Sequence, residues 1–296
     1  MTLRQLIESS ASALEQAGVV FGHGTSNAFD EAAWLVLWQL GLPLDTDLDD
    51  GGTDPALAIT QQQLDQVHAL VTRRISSRQP AAYLMREAWL QGLSFYCDER
   101  AVVPRSLIAE LLVAGELDYW LPQGSARLLD LCTGGGSLAV LAALAWPQLV
   151  VDASDLSAQA LEVAQINLQQ HGLTGRIRLL QGDGLAAADG HYDLILCNPP
   201  YVNSASMQNL PPEYRAEPAL ALDGGPDGMG FVRGLVRGAL AHLQPAAVLV
   251  LEVGNERANF ESAFPRLQAV WLDTSAGADQ VCALTHAALA ALNTHR

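Results

Sequence analysis

The segment NPPY, Asn198 to Tyr201, follows the apolar run YDLILC and is the first candidate for chemistry in this sequence. Proline lacks a backbone N–H group and fixes the chain direction, so two successive prolines interrupt a strand rather than extend it. The apolar run is typical of a buried strand, which places the four residues at its carboxyl end. A simple proline-rich loop would have the same composition, but it gives no reason for an asparagine before the prolines.

A primary amide substrate would suit the hydrogen-bonding groups of this segment. An amide nitrogen carries two N–H donors and a delocalised lone pair, so it is a weak nucleophile that needs strict orientation. The side-chain oxygen of Asn198 can accept one hydrogen bond, a backbone carbonyl in the Pro199–Pro200 segment the second, and the Tyr201 ring can cover the flat amide. Hydrogen bonds of this kind orient the amide nitrogen and favour its attack on a positively charged methyl donor without a general base.

A second candidate site is the glycine-rich run RLLDLCTGGGSLAVLAAL, residues 127–144. Its pattern predicts a strand, a glycine turn and a helix in immediate succession, and a helix start offers unpaired N–H groups to a ligand. A nucleoside-bearing cofactor fits this arrangement. Gly134, Gly136 and Ala139 also satisfy the pattern of dinucleotide-binding folds, so a nicotinamide dehydrogenase is an alternative, although it leaves NPPY unexplained.

Two acidic residues follow the next two predicted strands. Asp155 lies about twenty residues beyond the glycines, where a carboxylate can bind both hydroxyls of a ribose. It or Ser157 can also cap the helix that follows. Asp183 follows the strand RIRLL and comes within reach of the nucleoside base. Because ligands of parallel sheets bind beyond the carboxyl ends of the strands, we expect these residues, the glycine loop and NPPY to meet there.

The elements that must position these groups are read from the periodicity of apolar residues. Residues 1–87 show helical spacing and predict a small helical domain. Residues 88–104 hold short aromatic-rich segments separated by turn residues and predict a β-hairpin linker. Residues 105–296 alternate strand and helix signals, which predicts an α/β domain whose mostly parallel sheet is covered by helices on both faces.

Composition and charge limit the classes of protein and ligand. No apolar run reaches the length of a membrane span, and no targeting segment is recognised, so we expect a cytoplasmic location. The 32 acidic and 16 basic residues give a net charge of −16, which disfavours direct nucleic-acid binding. Dispersed cysteines and histidines predict no metal site. The acidic run at residues 44–54 is either a solvated loop or a patch for a basic protein partner.

Together these segments resemble the family of glutamine-directed protein methyltransferases that use S-adenosylmethionine and carry an NPPY motif. The likeness covers essentially the whole chain and includes RQPAAYL, GLSFYCDERAVVPRS, DLCTGGGSLA, CNPPY and EYRAEPALALDGGPDG. NPPY alone is shared in outline by enzymes that methylate amino groups of nucleic-acid bases. The run FGHGTSNAFDEAAWLVL and Cys132, where the release-factor branch more often has glycine, resemble the branch that methylates ribosomal protein uL3.

The resemblance implies a seven-stranded Rossmann-like class I methyltransferase domain, preceded by a helical substrate-recognition domain, with S-adenosylmethionine as cofactor. It implies a set of cofactor-binding residues, namely Cys132, Thr133, Gly134, Gly135, Gly136, Asp155, Asp183, Gly184 and Asn198. The substrate-binding residues it implies are Asn198, Pro199, Pro200, Tyr201 and Val202, of which Asn198, Pro199 and Tyr201 are the catalytic ones.

The expected function is therefore methyl transfer to the side-chain amide nitrogen of a glutamine in uL3. This partner is expected to be basic, which suits an acidic enzyme, and to be met free or in early ribosome assembly. Methylation of a peptide-chain release factor is the alternative within the family. A non-catalytic ribosome-assembly binder is an alternative of another class, against which an intact Asn198 argues.

Overall fold

The structure of the protein, a computed structural model, describes residues 1–48, 59–122, 124 and 126–293. Positions 49–54 of the acidic run at residues 44–54 lie outside the described residues. The chain forms two compact units: the first holds residues 1–87 and 211–216, and the second holds residues 88–210 and 217–296. The predicted role of residues 1–87 in substrate recognition stays a prediction.

The first unit is built from helices: α1 (Leu3–Gln16), α2 (Ala28–Leu40), α3 (Gln61–Ser77) and α4 (Ala81–Met85). Leu6, Ile7 and Leu14 of α1 are fully buried, in accord with their helical spacing. Thr2 and Gln5 start this helix with a capping box, in which each side chain accepts a hydrogen bond from the other residue's backbone N–H. The helical pattern of the sequence is therefore confirmed for this part of the chain.

A buried ion network fixes residues 211–216 in the same unit. Nε of the fully buried Arg74 lies 2.8 Å from Oε1 of Glu31, and its Nη1 lies 3.5 Å from Oε1 of Glu213. Nε of Arg78 lies 2.9 Å from that same Glu213 oxygen. Burial raises the pKa of Glu31, and Arg74 offsets part of the rise. Because a buried carboxylate is costly without cationic partners, Glu213 holds its segment against the helices.

The second unit opens with a hairpin of β1 (Ala88–Leu90) and β2 (Leu93–Phe95), which pair antiparallel. Gln91 and Gly92 join them with φ angles of 51° and 77°, as a two-residue hairpin turn requires. The paired strands end at Phe95, so the hairpin is shorter than the segment 88–104 in which the sequence predicts it.

Seven further strands form one sheet in the order β5-β4-β3-β6-β7-β9-β8. The strands from β3 to β7 run parallel, whereas β9 pairs antiparallel with both β7 and β8. This arrangement confirms the predicted seven-stranded, mostly parallel sheet. The strands are β3 (Arg127–Leu131), β4 (Val150–Asp155), β5 (Ile177–Gln181), β6 (Tyr192–Cys197), β7 (Leu243–Glu252), β8 (Val270–Thr274) and β9 (Gly277–Thr285).

Helices cover both faces of this sheet, which explains why its central strands β3 and β6 carry apolar residues on both faces. Leu128 and Leu194 face one buried cluster, whereas their chain neighbours Leu129 and Ile195 face another. No helix within the described ranges combines the length and the apolarity that a membrane crossing needs. The helices of this unit are α5 (Ile108–Val113), α6 (Ser137–Ala145), α7 (Ala158–Gln170), α8 (Ser204–Gln208), α9 (Gly230–Gly238), α10 (Arg257–Ala263) and α11 (His286–Asn293).

Candidate active site

The two sequence motifs lie side by side at the carboxyl edge of the sheet, where β3, β4, β6 and β7 end. β3 and β6 are neighbouring parallel strands, and Leu131 pairs with Cys197. The glycine loop starts one residue after Leu131, and Asn198 comes one residue after Cys197. Strand register therefore brings NPPY and the glycine loop together.

Three residues of the glycine loop have backbone angles in the left-handed region. Cys132, Gly134 and Gly136 have φ angles of 61°, 53° and 81°. Cys132 thus adopts a conformation that glycine takes more readily. A Cβ atom on Gly136 would lie 3.1 Å from the Cβ of Ala164, whereas one on Gly134 would meet no atom within 4 Å. The loop is closed against α7 at Gly136 and open at Gly134.

Asn167 of α7 anchors this loop, and the sequence analysis missed it. The residue is fully buried, and its Nδ2 donates to the carbonyl oxygens of Gly135 at 2.8 Å and Tyr96 at 3.0 Å. Its Oδ1 accepts from the N–H of Tyr96 at 2.8 Å. An amide that is satisfied at both ends fixes the loop to the segment after the hairpin. A polar residue on the buried side of α7 was the available sequence signal.

Asp155 ends β4 beside the loop, as the sequence predicts. Its Oδ2 accepts from the N–H of Gly134 at 2.9 Å, and its Oδ1 accepts from the N–H of Ser157 at 2.8 Å. Burial raises the pKa of Asp155. The helix α7 is capped by the Ser157 side chain, which accepts from the N–H of Ala160. The predicted cap therefore falls on Ser157, whereas the ribose contact of Asp155 stays a prediction.

Asp130 lies beneath the loop and is 1% exposed. Its Oδ2 accepts from the hydroxyl of Thr133 at 2.5 Å and from the N–H of Ala139 at 3.0 Å. Its buried Oδ1 has no hydrogen-bond partner among the described residues. Burial and, to a smaller extent, the charge of Asp155 raise the pKa of Asp130 to about 7. The loop thus rests on a carboxyl group with spare acceptor capacity.

The third predicted strand end joins the same edge. The N–H of Gly182 donates to the carbonyl oxygen of Asp155 at 3.0 Å, which ties the end of β5 to that of β4. Asp183 follows with an exposed side chain. At Gly184, a Cβ atom would lie 3.3 Å from the ring of Phe231 in α9. The sequence analysis missed this aromatic ring, which comes from a helix almost fifty positions later.

In the NPPY segment the Asn198 side chain is available to a ligand, whereas the backbone just after the motif, at Val202, is held by hydrogen bonds. Asn198 is half-buried and Pro199 is buried. Among the described residues, none forms a hydrogen bond with the Asn198 side-chain amide. The N–H of Val202 donates to the Leu222 carbonyl oxygen at 2.9 Å, and the Val202 carbonyl oxygen accepts from the N–H of Gly224 at 2.9 Å. The segment therefore has an anchored end and a polar group free for a ligand.

Tyr201 turns its hydroxyl away from solvent. The hydroxyl donates to Oε1 of Glu252, the last residue of β7, at 3.0 Å. Burial raises the pKa of Tyr201 well above its usual range, and the charge of Glu252 adds to the rise. Glu252 is a further residue of this edge that the sequence analysis missed. In the described ranges, no group of three or more His, Cys, Asp or Glu side chains is arranged to hold a metal ion.

The sequence is similar to curated methyltransferases over nearly its whole length. The ribosomal protein uL3 glutamine methyltransferase of Bordetella pertussis is 52% identical, and the match covers 96% of this chain and 95% of the relative. The corresponding protein of Burkholderia pseudomallei is 50% identical over 93% of this chain and 92% of the relative. That of Neisseria meningitidis serogroup B is 43% identical over 96% and 93%.

Two further comparisons concern the domain and its fold. A family model for the methyltransferase small domain matches residues 112–211. The solved hMettl16 catalytic domain superposes with a TM-score of 0.51 at 14% identity, covering 77% of this chain and 82% of that one. At this identity the superposition shows the fold alone.

Proposed function

The chain belongs to the family of ribosomal protein uL3 glutamine methyltransferases, and we propose that it transfers a methyl group from S-adenosylmethionine to the side-chain amide nitrogen of a glutamine in uL3. The observation that carries this proposal is the pairing of Leu131 with Cys197, which sets the glycine loop beside NPPY. A cofactor loop and an amide-binding segment on neighbouring strand ends can hold a donor and an acceptor in reacting geometry.

The residues at this edge fit S-adenosylmethionine. The open side of Gly134 admits a ligand against bare backbone. Asp155 can accept from ribose hydroxyls, because each of its oxygens uses one acceptor position on a backbone N–H. Asp130 is buried and Asp155 is half-buried, and their raised pKa values have no basic side chain among their causes, so the site favours a positively charged ligand.

Donor binding is assigned to the predicted residues, which are Cys132, Thr133, Gly134, Gly135, Gly136, Asp155, Asp183, Gly184 and Asn198. When bound, S-adenosylmethionine supplies a methyl group on a positively charged sulfonium. The chain's own part is to hold both reactants and to exclude water from between them.

The NPPY segment orients the acceptor. Oδ1 of Asn198 accepts one N–H of the glutamine amide, and a backbone carbonyl oxygen in the Pro199–Pro200 segment accepts the other. Because acceptors hold both hydrogens, electron density rises at the amide nitrogen, and the rigid prolines keep this geometry in place. The Tyr201 ring covers the amide plane, while Pro200 and Val202 complete the substrate-binding segment.

The partner is a basic ribosomal protein, which the net charge of −16 attracts. Free or early-assembly uL3 in the cytoplasm is the proposed form of the substrate, because the target glutamine must be accessible. The helical unit, residues 1–87 with 211–216, is the proposed substrate-recognition part of the enzyme.

The proposal is tested by offering methyl-labelled donor with purified uL3 and, separately, a purified release factor. The label is then mapped by mass spectrometry. We expect one labelled glutamine in uL3 and at least tenfold less label in the release factor. Preferential labelling of the release factor would move the enzyme to the other branch of its family. Binding of NAD without binding of the methyl donor, measured by calorimetry, would overturn the proposal altogether.

Replacing the acceptor group of Asn198 is expected to abolish most of the transfer. Asn198→Ala removes one of the two acceptors that orient the amide, and loss of one preorganised hydrogen bond at a reacting centre costs about 100- to 1,000-fold in rate. Single-turnover methylation of uL3 measures the effect, with calorimetry of donor binding as the control. A variant that binds donor and transfers at the wild-type rate would contradict the proposed amide grip.

A further inference from the structure

Tyr201 is held from three sides by residues of its own unit. Its hydroxyl donates to Glu252. A Cβ atom on Gly254 would lie 2.5 Å from the Tyr201 ring, and one on Gly228 would lie 2.2 Å from the Tyr201 carbonyl oxygen. These distances are too short for any side chain, so ring and carbonyl pack directly on glycine backbone. The hydroxyl contact and the backbone at Gly254 therefore determine the position of the ring, and the backbone at Gly228 holds the Tyr201 carbonyl group.

Glu252 is fixed in turn by a separate segment. Leu251 pairs with Cys197 across β7 and β6, so Glu252 lies at the level of Asn198 on the adjacent strand. Its side chain is 4% exposed, and Oε2 accepts from the hydroxyl of Ser106 at 2.6 Å and the N–H of Leu107 at 3.0 Å. With the Tyr201 hydroxyl, the carboxylate receives three donors from two segments of the chain.

A role in proton transfer does not suit this pair. The Tyr201 hydroxyl is buried and already donates to Glu252, and both Glu252 oxygens are engaged. Burial raises the pKa of Glu252 as well as that of Tyr201. Neither group has an open position towards a substrate, which is what a general acid or base requires. The arrangement is that of a support.

We infer that Glu252 is the positioning residue of the NPPY segment: through the Tyr201 hydroxyl it fixes the ring that forms one wall of the glutamine site, and it links this wall to Ser106 and Leu107. The inference rests on the proposed function, because the ring acts as a wall only if an amide is bound beside it. Glu252 itself touches neither reactant.

Two single variants and their combination test the link. Tyr201→Phe keeps the ring and removes its hydroxyl, whereas Glu252→Met keeps the side-chain length and removes the acceptor. We expect each to lower kcat for uL3 about tenfold, with less than a twofold change in affinity for the donor. The double variant is expected to be no slower than Glu252→Met, because either change breaks the same contact. Wild-type kcat in Tyr201→Phe, or additive losses in the double variant, would overturn the inference.

Glu252→Gln separates positioning from charge. The glutamine oxygen can accept from Ser106 and Leu107, and its NH₂ group can donate to the Tyr201 hydroxyl, so the link survives without the charge. We expect this variant to keep at least half of the wild-type kcat. A loss as large as that of Glu252→Met would show that the charge, not the position, is what matters.

Asp152, towards the amino end of β4, offers a matched control. It is 1% exposed, but it binds Arg127, Arg178 and Tyr192 instead of Tyr201. Asp152→Asn is expected to lower stability, and its effect on kcat should add to that of Tyr201→Phe.

Hydrogen–deuterium exchange gives a readout that does not depend on any substrate. We expect amides of residues 201–204 to exchange at least tenfold faster in Tyr201→Phe and Glu252→Met than in the wild type. Unchanged exchange would overturn the inference even if the wild type methylates uL3. Faster exchange in an enzyme that fails to methylate uL3 would leave the support intact and reject the proposed function.

Discussion

Two carboxylates of β4, which lie towards opposite ends of the large sheet, have pKa values shifted in opposite directions. At the amino end of β4, Asp152 accepts from Arg178 at 2.8 Å, from Arg127 at 2.9 Å and from the Tyr192 hydroxyl at 2.8 Å. Burial raises its pKa, but the hydrogen bonds from Arg178 and Tyr192 outweigh burial, so the pKa lies below the usual range. Asp155, at the other end of the same strand, accepts backbone N–H groups instead, and burial raises its pKa.

The difference separates a carboxylate that stabilises the fold from one that is available to a ligand. The amino-end cleft, of about 540 Å³, is lined by two arginines and two aspartates that pair with one another, namely Arg127, Arg178, Asp152 and Asp189. At the carboxyl edge, Asp130 and Asp155 have no such partners among the causes of their pKa shifts. The proposed cationic donor would complete the electrostatics of that edge, whereas the charges at the amino end already pair with one another.

Among the changes that test this contrast between the two ends, the largest expected effect comes from Asp155→Asn. It removes the charge and one acceptor from the proposed ribose site, and hydrogen bonds to charged groups contribute about 1.5–3 kcal/mol each. We expect donor affinity to fall about 100-fold by calorimetry, while the free energy of unfolding changes by less than about 1 kcal/mol. The same substitution at Asp152 is the matched control, and equal donor affinities in the two variants would abolish the contrast between the ends.

Asp152→Asn is expected to do the reverse. It leaves Arg127, Arg178 and Tyr192 around a neutral amide, and loss of one member of a buried ion cluster destabilises strongly, here by about 2–3 kcal/mol because both arginines reach solvent. Urea unfolding measures this loss, and donor affinity should stay within twofold of the wild type. Wild-type stability in this variant would show that the network does not support the fold.

A smaller, pH-dependent effect is expected from Asp130→Asn. Because the folded pKa is raised to about 7, the stability contributed by the protonated carboxyl is complete below about pH 4 and is lost as pH rises towards 7. Between pH 5 and 8 the wild type should lose about 2 kcal/mol more than the variant, whose amide does not titrate. Parallel curves of unfolding free energy against pH for the two proteins would contradict the raised pKa.

Local sequence patterns predicted much of the fold and the meeting of the motifs. The run YDLILC is apolar at every position except Asp193, and β6 is buried on both faces for that reason. The succession of strand, glycine turn and helix after Arg127 was read correctly as well. These features depend on periodicity and on glycine backbone, which neighbouring residues determine.

The residues that hold the glycine loop and Tyr201 in place could not be predicted from local sequence patterns. Asn167 binds the glycine loop from 32 positions away, and Glu252 binds Tyr201 from 51 positions away. A buried polar side chain in an apolar stripe signals that it has a partner, but not which one. The entry of residues 211–216 into the helical unit is a third such case, since Glu213 meets Arg74 and Arg78 through the fold alone.

The sequence by itself determined that the chain forms helices followed by an α/β sheet and that NPPY follows a buried strand, because these follow from local spacing and from the chemistry of proline and glycine. It also carried the family resemblance. Only the tertiary structure decided which carboxylates pair with arginines and which stay open, because burial and partner distance set a pKa. Asp152 and Asp155 are three positions apart in one strand, and the packing around each gives them opposite properties.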